Sequence, residues 1–148
     1  MSPTFETGNY LIVDEISYRF KEPERGSVLI FKYPKDPRKS FVKRVIGFPH
    51  ETVIIENGEI TIKNAEHPEG FTLDEPYVKL AKNEAVTYLI EDNEYFVLGD
   101  NRRASSDSRV WGGVPFDNVV GRPILRVYPP AIFPGRAVYS SDISNNIP

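Results

Sequence analysis

Thirteen prolines and ten glycines cut this chain into short pieces, and the pieces are rich in Val, Ile, Tyr and Phe. A proline inside a helix removes a hydrogen bond and clashes with the preceding turn, so punctuation this dense leaves little room for long helices. Branched and aromatic residues favour a pleated surface instead. Strand candidates follow one another closely, at 10–14, 27–33, 41–47, 51–56, 59–63, 85–89, 95–98 and 123–128, and helical periodicity is almost absent. Asn57-Gly58, between Thr52-Val53-Ile54-Ile55 and Ile60-Thr61-Ile62, is a strong hairpin signal, because both residues tolerate the positive φ of a two-residue type I′ turn. The expected fold class is all-β and mainly antiparallel.

A chain of 148 residues, 40% of them hydrophobic, suffices for one real core. Residues 64–84 are looser and more polar and read as a small insertion, with Asp74-Glu75-Pro76-Tyr77 at a bend. The domain is therefore expected over 1–128, and the proline-containing, Ser/Asp/Asn-rich stretch 129–148 as a partly disordered tail. With 18 basic and 21 acidic residues interspersed, there is no basic stripe for nucleic acid. The absence of cysteine excludes disulfides, thiol catalysis and thiolate metal sites, and leaves the cellular compartment open. His50 and His67 sit beside proline or acidic turn residues, are expected to be exposed, and argue against a protein-built zinc site. No run approaches the roughly 18 apolar residues of a membrane span, and nothing at the start resembles a cleavable leader.

Two segments carry chemistry. Residues 99–115, GDNRRASSDSRVWGGVP, follow the apolar run 95–98 and alternate charges of both signs with small hydroxyl residues. Such a loop can fold back on itself through Asp–Arg pairs and hold a serine in place; a solvated surface loop is the plainer alternative. In the strand candidate 41–47, period-2 geometry puts Phe41, Lys43 and Val45 on one face and Val42, Arg44 and Ile46 on the other. Either this is a solvated edge strand using its cations against aggregation, or one cation is buried among apolar neighbours. A buried lysine can lose roughly 3–5 units from a reference pKa near 10.4 and become a neutral general base.

The segments MSPTF at 1–5 with Gly8 and 10–13, RGSVLIFKYP at 25–34, FVKRVIGFP at 41–49 and the loop at 99–115 together resemble, in order, the boxes of type I signal peptidases. The match continues in Asn57-Gly58, Glu75-Pro76-Tyr77 and Gly121-Arg122 and spans most of the chain. The resemblance implies the mainly antiparallel β architecture shared with LexA-like self-cleaving repressors. It also implies a membrane-bound Ser–Lys dyad endopeptidase that removes signal peptides from exported preproteins on the outer side of the cytoplasmic membrane, without a cofactor and as a monomer. Carried over by position, Lys43 is the general base and Ser105 the hydroxyl that orients it. Asp100, Asp107 and Arg109, with Arg44 nearby, form the charged framework. A carboxylate touching the base would raise its pKa, so Asp100 and Asp107 are expected to be taken up by Arg44, Arg102 or Arg109.

By the same resemblance, Met1, Phe5, Leu11, Ile30, Phe41 and Val42 line two shallow pockets for small residues before the cut, with the peptide added as a β-strand. From the residues alone, ordinary core is an equal reading for Leu11 and Ile30. Aromatic rings near Phe5, Phe20, Phe31, Tyr33 and Trp111 are candidates to rest on a lipid surface. The family's nucleophilic serine immediately precedes the methionine that corresponds to Met1, and Ser2 falls at a variable position. The nucleophile is therefore expected one residue upstream, and the chain as written is expected to be an inactive fragment. A noncatalytic peptide-binding or membrane-surface module and a LexA-like regulator are the alternatives.

Overall fold

Asn57 and Gly58 take φ values of 52° and 83°, and the turn they form joins β4 (Thr52–Glu56) to β5 (Glu59–Lys63) in strict register from Glu56 opposite Glu59. The structure, a computed structural model, describes residues 10–128 and 131–132. The elements preceding this hairpin are β1 (Tyr10–Asp14), the one-turn helix α1 (Ser17–Phe20), β2 (Val28–Tyr33) and β3 (Asp36–Gly47). After it come β6 (Phe71–Thr72), β7 (Ala85–Leu89), β8 (Glu94–Leu98), the one-turn helix α2 (Ser108–Trp111) and β9 (Val114–Pro115). A 3₁₀ turn at Phe116–Asn118, β10 (Val119–Tyr128) and β11 (Ala131–Ile132) complete them. Every pairing is antiparallel, as the composition implies.

The strands form a larger sheet in the order β1-β10-β2-β3-β8-β9, with β11 on β10, and a smaller one in the order β6-β5-β4-β7. β10 changes partner along its length. Val119 and Gly121 pair with β2, whereas Arg122 to Tyr128 pair with β1, so Pro123 sits where the ladder has already changed sides.

The segment 36–47 is not an edge strand. It lies between β2 and β8, and both of its faces are covered at its far end. Val45 joins Leu29, Phe31, Tyr95, Val97 and Val114 in one core cluster, while Ile46 joins Val53, Ile55, Ile60, Ile62, Leu73, Ile90, Phe96 and Leu98 in another. Burying side chains on both faces explains why Phe96-Val97-Leu98 reads as an unbroken apolar run rather than an alternation. Each fully buried Val, Leu, Ile or Phe contributes about 1.5–3 kcal/mol.

Residues 64–84 are tied to the rest of the molecule. Phe71–Thr72 adds an edge strand to β5, and Leu73 is buried in the cluster under the smaller sheet. Within the stretch expected as a tail, Ala131–Ile132 pairs with Leu125 and Arg126 of β10. Phe31 is fully buried and so is no lipid contact. His50 and His67 are exposed beside Asp92 and Glu69.

Candidate active site

Lys43 occupies the middle of β3, opposite Leu29 of β2. Opposed residues of an antiparallel pair share a face, so the Lys43 side chain stands with Leu29, Phe31, Phe41 and Val45. Its ammonium nitrogen lies 5.6 Å from the centre of the Phe41 ring. That ring stacks on Tyr33 at 4.7 Å and lies beside Phe31 and Trp111, forming an aromatic wall on this side of the sheet. The amine is half-buried, and burial drives its pKa below the ordinary 10.5; the Arg109 charge lowers it further, while Asp107 and Asp100 pull it back up.

The neighbouring Arg44 faces the other way and is buried with Asp100, which accepts from Arg44 Nε at 2.9 Å and Nη2 at 2.8 Å. The third nitrogen, Nη1, donates to Gly26 O at 2.7 Å. Lys43 and Arg44 therefore both turn toward packed neighbours, where alternation alone sends one, because the far end of β3 is covered on both faces, whereas Arg38 and Lys39 at its near end are exposed.

The polar loop begins where β8 ends and completes that strand's hydrogen bonding. Val97 N–H donates to Ser108 Oγ at 2.9 Å and Gly99 N–H to Asp107 Oδ2 at 3.1 Å. Side chains thus stand in for the strand partner that β9 supplies only at Glu94 and Tyr95. Asp107 also caps α2 through Arg109 N–H and accepts a fork from Arg109, with Nε and Nη2 each at 2.8 Å. Burial alone would raise the Asp107 pKa; the Arg109 fork and the Gly99 N–H outweigh it and hold the carboxyl below its ordinary value. Arg109 Nη1 continues to Glu84, just before β7. Each loop carboxylate is consequently committed to an arginine, which offsets its pull on the amine without removing it. Arg102 takes neither: its partner is Glu75, outside the loop.

Ser105 and Lys43 meet around Gly99. A Cβ at position 99 would lie 2.0 Å from Ser105 Oγ, 2.5 Å from Ser105 Cβ and 3.6 Å from Lys43 Nζ. Only a residue without a side chain lets hydroxyl and amine flank that point. The Ser105 hydroxyl is buried, makes no hydrogen bond of ordinary length and angle, and lies near enough to Asp107 to lower that carboxyl's pKa. A buried hydroxyl with unused bonding capacity is available to a group that arrives or rotates during a reaction.

Among the residues expected to bind substrate, Phe41 shares the Lys43 face, while Ile30 and Val42 oppose each other on the reverse face. Ile30 is buried and both Phe41 and Val42 are half-buried. Leu11 pairs with Arg126 through the backbone, and Met1 and Phe5 lie outside the described residues, as does Ser2. The residues that sequence reasoning left without a role here are Gly99, Glu75, Tyr77 and Glu84. Glu75 and Glu84 are acidic groups whose partners lie 27 and 25 positions away, so no local pattern signals them.

The sequence model described as signal peptidase, peptidase S26 matches residues 1–128. A probable signal peptidase I-1 of Synechocystis sp. is 35% identical over 136 residues, covering 87% of this chain and 67% of that protein. A probable signal peptidase I-2 of the same organism is 38% identical over 138 residues, covering 87% and 59%. The chain thus spans about three-fifths to two-thirds of the length of these curated relatives. The crystal structure of a signal peptidase I from Enterococcus faecalis V583 superposes with a TM-score of 0.58 at 32% identity, covering 69% of this chain and 97% of the other.

Proposed function

This chain is a member of the signal peptidase, peptidase S26 family, and on that footing we propose that it is the catalytic domain of a serine endopeptidase that removes signal peptides from exported preproteins. The observation that carries this reading is the state of Lys43: an amine set against an apolar wall, held below its usual pKa, with nearby carboxylates occupied by arginines. A neutral amine is what a serine nucleophile needs as a base at moderate pH.

In the proposed sequence, Lys43 Nζ takes the hydroxyl proton of the nucleophilic serine as its oxygen attacks the carbonyl carbon before the cut. The resulting ammonium returns that proton to the departing amine, leaving an acyl-serine. Water then attacks the ester with Lys43 again as base, and the signal peptide leaves as the free acid. By resemblance, the nucleophile stands immediately before Met1, outside this sequence. Ser105 turns its unused hydroxyl to the amine and aims the lone pair. Substrates are signal peptides with small residues before the cut, bound as an added strand at pockets that Leu11, Ile30, Phe41 and Val42 help to line, with Met1 and Phe5. The reaction takes place at the outer surface of the cytoplasmic membrane; among the described residues no helix is long and apolar enough to cross it.

The test is the protein carrying a serine directly before Met1, assayed on a peptide with Ala-x-Ala before the scissile bond. Cleavage abolished by Lys43→Ala is the expected result. Cleavage that survives Lys43→Ala refutes the assigned base, and peptide binding without cleavage favours a noncatalytic module.

A further inference from the structure

The turn carrying Glu75-Pro76-Tyr77 is remote in sequence from the strand and loop that hold the amine, yet its side chains end on both flanks of Gly99-Asp100. Val78 N–H donates to Glu75 O at 3.0 Å and closes the turn, with Pro76 at the position its fixed φ favours. The Glu75 carboxylate accepts from Arg102 Nη1 at 2.8 Å and Nη2 at 2.6 Å, and from the Tyr77 hydroxyl at 2.8 Å. The remaining donor of that guanidinium, Nε, reaches Gly99 O at 2.9 Å. On the other flank the Tyr77 ring lies 3.9 Å from Cζ of Arg44, whose fork holds Asp100. The Arg102 and Glu75 side chains are only 5% and 8% exposed, so water neither screens nor replaces this pairing.

We propose that the 75–78 turn is a positioning clamp for the general base: Glu75 through Arg102, and Tyr77 through Arg44, set Gly99-Asp100 against the Lys43 amine. The inference rests on Lys43 being that base. Neither Glu75 nor Tyr77 touches the amine, and the charges acting on it are Asp107, Arg109 and Asp100. The clamp controls how closely Gly99 and Ser105 close over the nitrogen, and therefore how much water reaches it. It also gives residues 64–84 a part in the active site rather than a place beside it.

The test is an NMR titration of lysine labelled with 13C at Cε, in this chain, with the Lys43 signal assigned by Lys43→Arg. The parent is expected to titrate below the ordinary 10.5. Glu75→Leu/Arg102→Met removes both buried charges at once and leaves neither uncompensated. Its unfolding midpoint should stay near the parent's while the Lys43 titration moves back toward 10.5, cutting the neutral fraction at pH 8 by about threefold or more. Arg102→Lys keeps the ion pair but loses the donor to Gly99 O, and should move the titration the same way even if the double variant fails to fold. A merely structural pairing would change the midpoint and leave the titration in place. An unmoved titration in Arg102→Lys overturns the clamp and spares the base. A parent that titrates at an ordinary value overturns the base assignment, and the clamp with it.

Discussion

Gly99→Ala is the sharpest perturbation this site offers. The backbone at 99 is outside the left-handed region, so alanine meets no conformational penalty there and the effect is purely steric. The new methyl would lie 2.0 Å from Ser105 Oγ and 2.5 Å from its Cβ, where real contacts do not fall below 3.0 Å, so the hydroxyl must retreat by about 1 Å. Lys43 Nζ, at 3.6 Å, is in ordinary contact and need not move. The substitution should therefore separate the orienting hydroxyl from the base while leaving the base in place. Overpacking of this kind costs about 1–3 kcal/mol, read as a fall in unfolding midpoint of about 2–4 °C for each kcal/mol in a domain of this size. A displacement of about 1 Å in a catalytic constellation costs on the order of 10²-fold, read as kcat/KM on an Ala-x-Ala peptide with the serine-bearing protein. Gly99→Ala/Ser105→Gly removes both clashing atoms and should recover the midpoint but not the rate. Parent-like rate and stability in Gly99→Ala would show that the approach of Ser105 to position 99 does not matter, and the account of the site would fall.

Four further outcomes follow from the same geometry. Ser105→Ala should weaken cleavage without abolishing it and leave stability unchanged or slightly raised, since the deleted hydroxyl is buried without a partner. Arg44→Met leaves Asp100 buried beside an apolar chain and should cost about 3–5 kcal/mol in denaturant unfolding, most of it recovered in Arg44→Met/Asp100→Leu. The folded pKa of Lys43 lies below its unfolded value of 10.5, so the unfolded state binds the extra proton between the two. Lys43→Met should thus abolish cleavage yet stabilise the fold at neutral pH, and the gain should fade as pH rises through the folded pKa toward 10.5; equal stability at every pH would contradict it. Glu51 and Asp107 are lowered as well, but in a carboxyl a lowered pKa stabilises the fold. Arg25 with Asn64, and Arg109, overcome the cost of burial and hold both carboxyls below their ordinary values. Their contribution is therefore complete above the unfolded carboxylate pKa of about 4 and is lost as pH falls through the lower folded values, which a midpoint-against-pH series will show.

Much of the fold was legible because its signals are local. The Asn57-Gly58 turn needs positive φ at two consecutive residues, and few other dipeptides offer it. Each of the eight anticipated strands lies within or overlaps an observed one; the strands not anticipated, β6, β9 and β11, have two residues each, and the helices α1 and α2 one turn each, too short to show a period. The reading of 41–47 as a possible edge strand failed for a different reason. Alternation reports one covered face, whereas 36–47 lies between two strands and beneath two clusters, and nothing in its own residues says so. At the site, the commitment of Asp100 and Asp107 to arginines followed from the chemistry a neutral amine requires. Which arginine serves which acid did not follow, and Arg102 in particular leaves the loop for Glu75.

The sequence by itself determined the class of fold and the kinds of group the site contains, because turn dihedrals, strand pattern and ordered motifs are properties of neighbouring residues. The tertiary structure alone decided which way Lys43 and Arg44 face, that Gly99 is the gap that Ser105 and the amine flank, and that Glu75 and Tyr77 meet Arg102 and Arg44, 27 and 33 positions away. Those facts depend on packing and desolvation, which exist only once distant segments of the chain have closed on one another.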